Sequence, residues 1–151
     1  MFGRFTALLD RIAGHEVSDD KITPLQLAAT ALMFAVMDAD GYRDSAELKA
    51  LETTLASYFR IEGDALQELV WKGEAAEAEA VDHYQFTSVL VKLPEEERLH
   101  LLELLFEVTY ADGELHELED NMVWRIAELM GISTRERVEL RRKVASRVMR
   151  S

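Results

Sequence analysis

The sequence predicts an all-α fold, a compact bundle of about eight helices, on three observations. Apolar residues recur at spacings of three and four through nearly every segment, and no run sustains a two-residue alternation. Two stretches 72 residues apart repeat one helix–loop–helix pattern, Leu27 to Ile61 and Leu99 to Ile132. The length, 151 residues with 48% hydrophobic and 30% charged side chains, suits one domain over 1–151 that buries a core without staples.

The elements follow in chain order. Phe2, Phe5, Leu8, Leu9 and Ile12 stripe a short first helix that stops near Gly14. Thr23-Pro24-Leu25-Gln26 is a start signal, with Thr23 as cap, Pro24 in the first turn and Gln26 closing a capping box. The helix it opens runs to about Asp38. Leu48, Leu51, Leu55 and Phe59 stripe a third helix. Leu66, Leu69 and Val70 stripe a fourth, which the strong helix formers of EAAEAEA carry through Gly73. Phe86, Val89 and Leu90 mark a short fifth. Pro94 followed by three glutamates places carboxylates at the positive end of a sixth helix that ends near Tyr110. Met122, Ile126 and Leu129 stripe a seventh, stopped at Gly131. Ser133-Thr134-Arg135-Glu136 is a second capping box and opens the eighth. Trp71, Trp124, Tyr58 and Tyr110 fall on or beside apolar stripes and are expected in the core, with Met33 and Met37.

Charge divides the chain unevenly. Residues 133–151 hold seven basic against two acidic side chains, +5, and the remainder holds ten against twenty-seven, −17. The basic end reads as a last helix paired with the acidic body. That body repels phosphate backbones, which argues against nucleic acid, and attracts divalent cations and basic partner surfaces. Zero cysteines exclude a disulfide scaffold, thiol chemistry and Cys-based metal sites. The longest apolar run, Leu27 to Met37, is 11 residues, against about 20 for a bilayer span, so no stable membrane insertion is expected. The N-terminal stretch carries Arg and Asp inside its apolar run and lacks a small-residue cleavage site, so the expected compartment is the cytoplasm.

Each repeat consists of an apolar helix, Ala-Asp-Gly, five residues, a glutamate and an amphipathic helix. Ala39-Asp40-Gly41 aligns with Ala111-Asp112-Gly113, and Glu47 with Glu119. The first loop gathers Asp38, Asp40, Asp44 and Glu47; the second gathers Asp112, Glu114, Glu117, Glu119 and Asp120, with His116 among them. An Asp leaving one helix and a Glu in the first turn of the next can converge across a glycine turn and offer oxygens to a hard cation. A nitrogen from His116 would favour zinc or manganese in that half. The loop is not an EF-hand, because glycine follows the second Asp directly and Glu47 comes too early for the twelfth position. A second explanation stays open. Asp44 and Glu47 have the spacing of an N-cap and its reciprocal acid, and Asp40-Gly41 suits a turn. It accounts less well for the second loop, where His116, a poor cap, stands in place of Asp44.

The twin Ala-Asp-Gly-x5-Glu motif and the segment AEAEAVDHYQFTSVL ahead of its second copy resemble the TerB-like family of tellurite-resistance proteins, over about residues 20–140. The resemblance implies a pseudo-symmetric helical bundle, a metal-associated acidic site, and a role in stress response or metal resistance alongside partner proteins. Asp40, Glu47, Asp112 and Glu119 take the family's acidic positions. The site departs from symmetry, since Asp38 is matched by Tyr110 and Asp44 by His116.

Enzyme motifs are missing. There is no G-x-S-x-G turn and no phosphate-cradling glycine loop. Glu97 and His100 have the E-x-x-H spacing of a di-iron helix, but no second pair exists, and a solvated helix face is expected there. The reading is a non-enzymatic cytoplasmic protein binding calcium, magnesium, manganese or zinc between facing acidic loops, with a protein partner. Its rivals are a metal-free module docking a basic partner on its acidic face and, more remotely, a metallo-hydrolase.

Overall fold

The computed structural model describes residues 22–39, 41, 44–111 and 117–149. The helix expected over 2–12 lies outside them. Among the described residues there are seven helices and no strand, as the periodicity predicts: α1 (Pro24–Met37), α2 (Ser45–Phe59), α3 (Gly63–Glu79), α4 (Tyr84–Leu90), α5 (Glu95–Thr109), α6 (Glu117–Leu129) and α7 (Thr134–Met149). Both capping boxes form. Thr23 Oγ1 accepts the Gln26 N–H while Gln26 Oε1 accepts the Thr23 N–H, each at 3.1 Å. Ser133 and Glu136 make the same reciprocal pair at 3.1 and 3.2 Å. These bonds satisfy N–H groups that a helix start leaves without intrahelical partners.

Helix α1 is the centre. Eleven of its fourteen residues are buried, which is what a helix apolar on all sides requires. It packs against α2, α3, α4, α5 and α6, most extensively against α3. That crossing is close because of Gly73: a Cβ there would overlap Thr30 Cγ2 and lie 2.7 Å from Thr30 Cβ. Thr30 is fixed in turn by its hydroxyl, which donates to Gln26 O at 2.8 Å. A glycine inside a helix weakens it, so its presence in mid-α3 reflects this packing.

The repeat is visible in the architecture. α1 and α5 are its apolar first helices, and they pack on each other. α2 packs on α5 and α6 packs on α1, the reciprocal contacts that a pseudo-two-fold arrangement produces. The order extends beyond the repeated sequence, since the third helix of each half, α3 or α7, packs on the first, α1 or α5. Local geometry agrees. Asp38 and Tyr110 end α1 and α5 with N–H bonds to Phe34 O at 2.9 Å and Phe106 O at 3.0 Å. α2 and α6 are each followed by a left-handed residue, Arg60 (φ 56°) and Gly131 (φ 76°), and then by an isoleucine. Ile61 N–H reaches Ala56 O at 3.2 Å and Ile132 N–H reaches Ala127 O at 2.9 Å, the same helix-closing bond 71 residues apart. Equivalent apolar residues, Phe34 with Phe106 and Val36 with Val108, are all 0% exposed.

Three expectations need correction. Trp71 and Trp124 are 67% and 42% exposed, so neither is a core tryptophan, whereas Tyr110 is buried and Tyr58 packs against the core. Leu129 is exposed, and Val123, Ala127 and Met130 complete the buried face of the α6 region beside Ile126. Glu97 is not solvated. It is buried against α2, where the Tyr58 hydroxyl approaches its Oε2 at 3.5 Å and the Tyr58 ring lies 5.2 Å from that of His100. Burial, with Glu97 adding to it, pushes the Tyr58 phenol above its usual range, so it remains a donor.

Candidate functional site

Four of the seven expected ligands are described. Asp38 caps the C-terminus of α1, with the Gly41 N–H reaching back to its carbonyl at 2.9 Å and Gly41 at φ 75°, a conformation glycine adopts without a Cβ clash. Asp44 is the N-cap of α2, its Oδ1 accepting the Ala46 N–H at 2.6 Å. Glu47 and Glu119 lie in the first turns of α2 and α6. Asp40, Asp112 and His116 lie outside the described residues.

The two glutamates differ from the other expected ligands. Glu47 is 1% and Glu119 0% exposed; among the described residues every other carboxylate except Glu97 is at least partly exposed. Removing an ionised carboxylate from water costs several kcal/mol unless charge or hydrogen bonds compensate. The first turn of a helix supplies part of that compensation through its positive dipole end. Both residues occupy the same step of the repeat, so the fold buries an acid at the start of each second helix. Among the described residues no group of three or more His, Asp or Glu side chains converges on one point. An open groove of about 670 Å³ between α2 and α3, with Lys49, Glu52, Arg60 and Leu66 among its walls, includes none of the expected ligands.

The second unit has an attachment that sequence reasoning did not find. Arg141 of α7 donates through Nε to the Tyr110 hydroxyl at 3.1 Å and lies 3.2 Å from Asp120 Oδ1, which the Tyr110 hydroxyl also approaches at 3.5 Å. Burial raises the Tyr110 phenol above its ordinary range, so it accepts from the guanidinium while keeping a proton to donate. Tyr110 stands two residues before Asp112, and Asp120 directly follows Glu119. The signal was available, because Tyr110 and Asp120 replace Asp38 and Leu48 in the repeat. Further along α7, Arg147 bonds Glu103 and Glu107 at 2.9 Å each, and Lys143 lies 3.7 Å from Glu103. The basic end thus pairs with the acidic body, as its charge predicts. Sequence reasoning also missed Arg98, which donates to Leu93 O at 3.1 Å and to Met130 O at 2.7 Å, fastening the end of the α6 region to the start of α5.

No helix among the described residues is long and apolar enough to cross a membrane. Comparison with curated proteins gave no match, and neither did comparison with solved structures. The family model described as tellurite resistance protein TerB matches residues 26–142. That span takes in both helix–loop–helix units, the buried glutamate of each, and the linking helices between them. The chain belongs to the TerB family.

Proposed function

We propose that the protein binds a divalent cation through the acidic loops of its two units, as a non-enzymatic cytoplasmic component of a tellurite or metal stress response. The observation that carries this reading is the burial of Glu47 and Glu119 at equivalent steps of the repeat. Each unit holds one first-turn carboxylate out of water, and positive charge nearby, from a helix start or from a bound cation, favours an acid so placed. Glu47 and Glu119 would hold the ion from the two helix starts, joined by Asp40 and Asp112. Asp38, Asp44 and His116 are the remaining donors, and calcium, magnesium, manganese and zinc are the ions they suit. A bound cation supplies positive charge that carboxylates of both units share. The protein's own contribution is to fix those carboxylates on short turns, so that the relative setting of the units depends on their neutralisation and a protein partner reads it.

A second reading has its own support. Asp44 does cap α2, and capping needs no metal. In that case the acidic face docks a basic partner directly.

Calorimetric titration of chelator-stripped protein with each of the four ions separates them. Micromolar, saturable binding that is lost in Asp40→Asn/Asp112→Asn and in Glu47→Gln/Glu119→Gln supports the metal site. No binding by a wild-type protein with intact helical circular dichroism would assign the loops to turns and caps.

A further inference from the structure

We propose that residues 2–12 dock in cis on the outward face of α3, covering Trp71. Trp71, Ala75 and Ala78, at i, i+4 and i+7, form an exposed stripe along that face, and Trp71 is 67% exposed. The chain leaves α3 with Val81 at 97% and Tyr84 at 65% exposure, so large apolar side chains stay in the open from Trp71 to Tyr84. On the helical wheel Glu68 and Glu79 flank the stripe on one side. The one basic residue of α3, Lys72, is paired with Glu68 at 3.5 Å, leaving the face acidic.

The occupant is identified by complementarity. Residues 1–14 carry an apolar stripe of Phe2, Phe5, Leu8, Leu9 and Ile12. Arg4 and Arg11 lie seven residues apart on one flank, and Asp10 is the only acid. This is a cationic amphipathic segment at the head of a strongly acidic body, matching an apolar stripe rimmed by glutamates. Arginine stems lie along apolar surface while their heads reach a carboxylate rim. The tether permits it. Nine residues, 13–21, separate the segment from Ile22 and span up to about 30 Å extended. Ile22 leads directly into α1, the helix on which α3 packs most extensively. A segment this short does not hold a helix alone in water, so an amphipathic pattern of this length gains order by folding against a surface.

The cysteine-free chain makes the test direct. A nitroxide on Ala75→Cys, an exposed position, is expected to broaden the amide resonances of residues 2–12 in the same molecule. Phe5→Ser/Leu9→Ser should restore those signals and shift Trp71 emission to the red in a Trp124→Phe background. Four results would overturn the proposal: no broadening in cis; broadening that also appears when spin-labelled unenriched protein is mixed with isotope-enriched unlabelled protein, which would make the occupant a second copy; unchanged Trp71 emission in the double variant; or capture of the protein by phosphatidylglycerol vesicles through residues 2–12 with no broadening in their absence.

Discussion

In the first unit, the helix after the acidic loop begins on Asp44, which caps it, and the third helix, α3, lies on α1 through the bare backbone of Gly73. In the second unit His116 takes the place of Asp44. There the third helix, α7, adds charge to its packing: Val144 is buried in the core, Arg141 bridges Tyr110 and Asp120, and Arg147 spans Glu103 and Glu107. One backbone plan is therefore secured differently in its two halves, by a close backbone crossing in the first and by packing supplemented with ion pairs in the second. Packing in a core is not subject to Debye screening, whereas exposed ion pairs are. The Arg147 pairs of the second half are accordingly the ones that salt weakens, while the partly buried Arg141 contact touches both flanks of the acidic loop.

The largest test of that contrast is Gly73→Val, which forces a branched side chain into Thr30. Overpacking of a tight contact costs about 3 kcal/mol at the upper end of its usual range, and the loss should be the same in low and high salt. Urea denaturation at two salt concentrations measures it, and a loss under about 1 kcal/mol would show that α3 does not depend on the close crossing.

Arg141→Ala comes next, at about 2 kcal/mol, since it removes a charged donor from a partly buried hydroxyl and a partly buried carboxylate. Its signature should be local, with faster amide exchange in α7 and at Tyr110 and little change in α3. Uniform change across both halves would break the comparison.

Asp44→Ala should cost about 1 kcal/mol, the ordinary worth of a side-chain cap, and Asp44→Asn should recover most of it. If the aspartate is needed as a charged ligand, the asparagine variant keeps its stability but loses metal affinity, so thermal unfolding with and without the ion sharpens both readings.

Smallest is Arg147→Ala. The arginine is about half exposed and its pairs are worth at most about 0.5–1 kcal/mol after solvent screening, so the difference from wild type should vanish in 1 M salt. A difference that persists at high salt would mean that the α7 stem, rather than its charge, holds the helix on α5.

Much of this arrangement was legible beforehand. Thr23-Pro24-Leu25-Gln26 and Ser133 to Glu136 are local signals, and local chemistry executes them. The repeat was readable because Ala-Asp-Gly and its following glutamate recur in register, and both halves then close their helices with the same bonds. Trp71 and Trp124 misled because helical periodicity assigns a residue to a face without saying whether another element covers that face. Glu97 misled for the converse reason. Its E-x-x-H spacing describes one helix, while its burial comes from Tyr58, 39 residues away on α2. Arg141 could not be placed from spacing at all, since its partners lie on α5 and α6.

The sequence by itself determined the seven described helices, to within a few residues at their ends, the two-fold repeat and the pairing of a basic end with an acidic body. These depend on periodicity, capping and net charge, which act over a few residues or over the whole chain. Tertiary structure alone decided that Glu47 and Glu119 are buried, that α3 and α7 extend the symmetry without repeating its sequence, and that Trp71 faces outward. Burial and contact at such sites are set by which helices cross, at distances of tens of residues along the chain, where no local pattern carries the information.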